Sequence, residues 1–123
     1  MGMKNLIIIA LALCLPSQFF GAVHEVNLDT KKINDAVHWT PETIEVTQGE
    51  KVKITAKHDL EGGFDFHGLL IPVLKISEQV NRHQPKVLEV TIGKDVKPGE
   101  YKIGCQFHPK HVGAKLIVKP AAH

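Results

Sequence analysis

Tyr101-Lys102-Ile103-Gly104-Cys105-Gln106-Phe107-His108-Pro109-Lys110-His111-Val112-Gly113-Ala114-Lys115-Leu116-Ile117-Val118 is the stretch on which the reading of this chain turns. A strand-like segment, Tyr101 to Cys105, ends in a cysteine. A tight loop with two histidines follows, and a second strand-like segment leaves over Ala114 to Lys119. The spacing Cys-x2-His-x2-His lets one short loop offer a thiolate and two imidazoles to a single cation. That donor set suits copper or zinc, not magnesium or calcium. A further ligand must come from elsewhere, and His67 in Phe66-His67-Gly68-Leu69-Leu70-Ile71-Pro72 is the candidate. His58, Glu61 and Asp65 lie close enough upstream to take its place. His111 has three readings: a fourth ligand, a gate to an open position, or a solvent-facing residue.

The chain around this loop has 123 residues, enough for one domain. Its 15 Lys and Arg against 13 Asp and Glu give a net charge of +2, so composition carries no nucleic-acid signal. Residues 1–22 read as a secretory signal peptide, with Lys4 as the charged start and an apolar core of about ten residues from Leu6 to Leu15. Such a core is shorter than the roughly 20 residues of a spanning helix. No stable membrane span is therefore expected in the mature chain, 23–123, which is expected in the periplasm or secreted. Leu11-Ala12-Leu13-Cys14 has the outline of a lipobox, with Leu13 unsuited to it. Loss of the leader removes Cys14 and leaves Cys105 as the single cysteine. A lone thiol in an oxidising compartment invites oxidation or intermolecular pairing unless something occupies it, and a metal would do so.

Along the mature chain, Val23 to Leu28 alternates weakly as a first strand, and Asp29 to Thr40 reads as an irregular strand or a connecting loop. Thr43-Ile44-Glu45-Val46 and Lys51-Val52-Lys53-Ile54-Thr55-Ala56 alternate apolar and polar residues around Gln48-Gly49-Glu50, which predicts a hairpin. His58 to Phe66 is a loop broken by Gly62 and Gly63. Val73 to Val80 suits either a helical turn or an irregular strand. Val87 to Ile92 is a strand with Leu88, Val90 and Ile92 on one face. Short strands at this spacing, punctuated by Gly and Pro, predict an all-β sandwich or barrel. His24, His38, His83 and His123 show no ligand spacing and read as surface residues. Gly93-Lys94 is followed by Asp95, and Leu88 stands where a phosphate-binding loop needs its first glycine, so that motif is excluded.

The order of these features resembles the cupredoxins. His67-Gly68-Leu69-Leu70-Ile71-Pro72, Lys97-Pro98-Gly99-Glu100-Tyr101, Cys105-x2-His108 and Gly113-Ala114-Lys115-Leu116-Ile117-Val118 match that family in sequence order, over roughly Thr40 to Lys119. The resemblance implies a Greek-key β-sandwich or barrel holding one copper ion through His67, Cys105, His108 and His111. The spacing is similar to amicyanin-type cupredoxins, with His111 where Met would sit. Cys-Gln-Phe-His-Pro-Lys is also similar to nitrosocyanin, a red-copper cupredoxin whose upstream ligand is Glu.

These readings lead to a secreted or periplasmic electron-transfer protein, not an enzyme, working with a redox partner protein. The competing expectations are a copper carrier that exchanges the ion with copper-handling proteins, and a small-molecule-binding red-copper protein. Zinc in the same ligand set is the remaining metal alternative. Phe107 is expected either over the metal or in an exposed apolar patch beside it. Lys102, Lys110 and Lys115 would place positive charge near the site, able to steer an acidic partner.

Overall fold

The computed structural model describes residues 22–108 and 111–121. The expected leader therefore lies outside the described residues except for Ala22, as do Cys14, Lys110 and His123. The described chain is all-β: β1 (His24–Ile33), β2 (Ala36–Thr40), β3 (Thr43–Thr47), β4 (Lys51–Lys57), β5 (Phe66–Ile71), β6 (Ile76–Asn81), β7 (Lys86–Thr91), β8 (Gly99–Ile103) and β9 (Ala114–Lys119). A single 3₁₀ turn, Pro72–Leu74, separates β5 from β6.

One sheet has the order β2-β1-β4-β7, with β1 and β4 parallel. The opposing layer is built from β3-β9-β8 and the β5-β6 pair. Reciprocal backbone bonds between Leu70 and Gly104, 2.9 Å and 2.8 Å, join those two pieces edge to edge. Period-two alternation drives the packing. In β4, Val52, Ile54 and Ala56 point inward, and in β9 Ala114, Leu116 and Val118 do the same. Leu28, Trp39, Leu69, Ile92 and Ile103 fill the space between the layers with no exposed surface. Each such aliphatic side chain contributes about 1.5–3 kcal/mol by leaving water.

Two expectations change. Thr43 to Val46 and Lys51 to Ala56 are strands as predicted, but they do not form a hairpin. β3 pairs in parallel with β9, and β4 pairs with β1 and β7. The Gly49 turn, at φ +87°, carries the chain from one layer to the other. A hairpin would have placed Ile44, Val46, Val52, Ile54 and Ala56 on one face of one sheet. The crossover instead lets the two strands bury them against each other's layer. The Asp29 to Thr40 stretch is neither irregular nor a loop. β1 runs on to Ile33, and Asn34-Asp35, both at positive φ (51° and 65°), turn it into β2. Two consecutive left-handed residues make the tight turn whose twist suits a hairpin, and Asn and Asp tolerate that conformation best after glycine.

The ambiguous Val73 to Val80 stretch resolves into both of its readings: the 3₁₀ turn, ended by Lys75 in the left-handed region, and then β6. At one end of the sandwich, the loop from β8 to β9 closes the gap between layers. The Val112 amide donates to Val37 (2.8 Å), and the Trp39 amide donates to Val112 (3.2 Å). The histidines gather at this closure.

Candidate metal centre

His67 lies near the start of β5, opposite Val80 of β6, and is 2% exposed. The register that buries Leu69 and Ile71 turns His67 into the same interior, because side chains two apart share a face. Cys105 follows the Leu70–Gly104 bridge and is a half-buried free thiol. His108 and His111 belong to the loop, where the His111 amide donates to the His108 carbonyl (2.9 Å), and both rings lie against that of His67.

Ligating atoms of His67, Cys105 and His108 all lie within 4.8 Å of one another, a grouping able to hold a metal ion. The Nδ1 atoms of His67 and His108 are 3.1 Å apart, and Cys105 Sγ is 3.5 Å from His108 Nδ1. Nitrogen donors about 2.0–2.1 Å and sulfur about 2.3 Å from one tetrahedral ion would be separated by roughly 3.3 Å (N to N) and 3.6 Å (N to S). The spacing of these donors therefore fits a shared ion. His111 stands beside them, its ring centroid 4.8 Å from that of His67. Both of its ring nitrogens are buried with no hydrogen-bond partner among the described residues. Buried polar atoms are normally satisfied, and an unmodified imidazole left this way calls for an ion or another ligand.

Electrostatics keep these rings ready to donate lone pairs. Burial, then the neighbouring His111, His58 and His108 and Arg82, lower the pKa of His67 to about 3. Burial, followed by His108, His38 and His58, lowers that of His111 to about 4. His108 is lowered as well, first by burial and then by His58. At neutral pH the imidazoles are uncharged, which is the state a metal requires.

Gly68 ties the parts together. Its amide donates to Cys105 Sγ (3.1 Å), a bond that a thiolate accepts more strongly than a thiol. Its carbonyl accepts the Trp39 indole N–H (3.0 Å). A side chain at Gly68 would push aside the end of the Gln106 side chain and press on the Phe107 ring, so β5 and the loop approach closely here.

The alternatives for the upstream ligand are engaged elsewhere. His58 is buried, with its Nε2–H donating to the Phe64 carbonyl (2.9 Å) and its Nδ1 accepting from the Thr30 hydroxyl (2.7 Å). Its ring packs edge-on to His67 at 4.6 Å, so it supports that residue. The Glu61 and Asp65 carboxylates are exposed and pair with His83 and Arg82. His24 and His83 are at the surface as expected, but His38 is not. It is half-buried in β2, because the β8–β9 loop lies along that strand, and its Nδ1 has no partner among the described residues.

Phe107 is 43% exposed and packs edge-on against Phe66 at 5.2 Å. With Phe64 (59%) and Val112 (41%) it forms an apolar rim. Between the rim and β2, a groove of about 270 Å³ opens onto His67, His108 and His111, walled by Asp35, Ala36, Val37 and Phe64. Trp39, Phe64 and Arg82 belong to the site without being singled out in the sequence. Trp39 stands out as the chain's one tryptophan in a largely polar stretch with Ile33 and Val37, whereas nothing local marks the other two.

The cupredoxin-like domain family matches residues 5–118, nearly the whole chain. The chain belongs to that family. Among solved structures, it is similar to a copper nitrite reductase from Nitrosomonas europaea (TM-score 0.66, 16% identity, 80% of this chain). It spans only 42% of that enzyme's chain. It is also similar to the metal-binding domain of the Cu(I)-exporting P-type ATPase CopA of Streptococcus pneumoniae D39, with Cu(I) (TM-score 0.63, 15% identity, 80% of this chain and 88% of that one). A third likeness is to a copper-binding protein in its apo form (TM-score 0.58, 18% identity, 79% and 88%). At these identities the likeness is one of fold. No curated protein matches.

Proposed function

We propose that this chain is a periplasmic or secreted protein that binds one copper ion through His67, Cys105, His108 and His111 and transfers single electrons. The observation that carries the reading is the convergence of a thiol and neutral imidazoles at metal-ligand spacing, with His111 beside them offering two buried nitrogens that have no partner among the described residues. The copper-binding neighbours in fold support the choice of metal. Copper in such a donor set supplies one-electron chemistry between its two common oxidation states.

The chain's own part is to hold the donors still. β5 fixes His67 through its ladder with β6, and Gly68 fixes the sulfur of Cys105. A scaffold that holds the donors in one arrangement lowers the rearrangement that accompanies gain or loss of an electron. The apolar rim of Phe64, Phe107 and Val112 offers a face for a redox partner protein. Reversible voltammetry of the copper-loaded protein tests the role. An electron carrier keeps the ion through repeated cycles, whereas a copper carrier surrenders it to a competing chelator on reduction. Replacement His111→Met exchanges an imidazole for a weak thioether. It is expected to raise the potential and strengthen absorption near the blue-copper band. No change in either would remove His111 from the site.

A second reading, a small-molecule-binding red-copper protein, is favoured by the groove that reaches the three imidazoles. A change in the copper spectrum on adding azide would support it.

A further inference from the structure

Phe64 poses a packing problem. Its ring lies stacked on His108, centroids 3.9 Å apart and planes inclined by 29°, yet the residue is 59% exposed. Burial of so little surface does not fix a ring in one place. Phe64 also belongs to the segment 58–65, which has no strand or helix to hold it and contains Gly62 and Gly63 at positive φ.

What holds the segment is the turn between β6 and β7. Arg82 donates from Nε to the Leu60 carbonyl (2.9 Å), from Nη2 to Gly62 (3.0 Å) and Phe64 (2.8 Å), and from Nη1 to the Asp65 carboxylate (2.8 Å). Its own amide donates to the Asp65 carbonyl (2.7 Å). The Phe64 carbonyl is gripped twice, by Arg82 and by buried His58. Guanidinium suits this task because its planar fork sends donors in several fixed directions, and hydrogen bonds from a charged donor are the stronger kind. Next to it, His83 reaches Asp59 and Glu61 at the far end of the segment.

We propose that Arg82 is a positioning residue for the histidine cluster: by clamping residues 60–65 it keeps Phe64 stacked on His108, fixing that ring and the wall of the groove that leads to it. The inference rests on the metal-centre reading for its purpose, but its geometry can be read without metal.

The test is nuclear magnetic resonance of the metal-free chain, followed by copper loading. Phe64→Leu marks the ring-proton shifts of His108 without an aromatic neighbour. Arg82→Gln is expected to move those signals most of the way to the Phe64→Leu values and to speed amide exchange across residues 62–65 by at least about tenfold. Arg82→Lys keeps the charge but not the fork, and is expected to resemble Gln. His83→Ala loosens only the far end and should leave His108 unmoved. After loading, Arg82→Gln and Phe64→Leu should shift the copper spectrum in the same direction, with the double variant no further than the larger single one. Wild-type His108 signals in Arg82→Gln, or in Arg82→Lys if Gln does not fold, would overturn the proposal. A chain that takes up no copper would instead defeat the metal-centre reading and leave the His108 result to decide the role of Arg82.

Discussion

His67 and the pair His108 and His111 meet in one cluster, but they are held by opposite means. His67 stands on β5, its backbone paired with β6 and its neighbours Leu69 and Ile71 anchored in the core. His108 and His111 lie on a loop outside any strand, with neighbours leaning on them: Trp39 against His111 (5.7 Å), Phe64 on His108, and Val112 bonded to β2. One side of the site is built into the sheet, and the other is pressed against it. Stability should therefore reside on the first side, and adjustability on the second.

The substitution that most directly breaks this division is Trp39→Ala, because Trp39 supports both sides, through the Gly68 carbonyl and the His111 ring. Removing a fully buried Trp is expected to cost about 3–5 kcal/mol, read as a lower midpoint in urea denaturation. A cost within about 0.5 kcal/mol, the range of ordinary surface changes, would mean that the two sides do not share this support.

Gly113→Ala strikes only the loop side. Its Cβ would fall onto the Ile103 carbonyl oxygen, backbone that cannot swing aside, so the end of the loop must lift from β8. We expect a loss of about 1–3 kcal/mol, with weakened copper binding and an intact β5–β6 pair by amide exchange. If β5 loosened as much as the loop, the two sides would be one cooperative unit.

Acid should separate them more gently. His67 and His111 have folded pKa values of about 3 and 4, below the ordinary 6.5. The unfolded chain therefore binds more protons as pH falls below about 6.5. The stability of the metal-free protein is full above that pH and declines as it falls through about 4 toward about 3, with the midpoint of thermal unfolding as the measurement. His111→Gln and His67→Gln should each flatten the decline, and a profile that neither alters would contradict the buried neutral rings.

Much of this was legible in the sequence because it is local. Cys105-x2-His108 sits between two alternating strands, and the Gly after His67 marks the close approach of β5 to that loop. The strands themselves follow from alternation. What alternation cannot carry is partnership. Thr43 to Val46 and Lys51 to Ala56 looked like a hairpin because each reads as a half-buried strand beside a glycine turn. Their true partners, β9 for one and β1 and β7 for the other, lie up to about 70 residues away in sequence. The Asn34-Asp35 turn was visible in principle, but the polar flanks of β1 and β2 hid it. His58 illustrates the same limit within the site. Its residue type suggested a ligand, and only Thr30 and the Phe64 carbonyl, brought in by the fold, show that both nitrogens are engaged.

In the proposed function, Cys105 and the histidines share one copper ion. Titration of the mature chain with copper(II), followed by visible absorption and electron paramagnetic resonance beside Cys105→Ser, decides whether they do. We expect a strong sulfur-to-copper charge-transfer band that saturates at one ion per chain and disappears in the Ser variant. A chain that shows no such band, or keeps it without the thiol, would contradict the assignment.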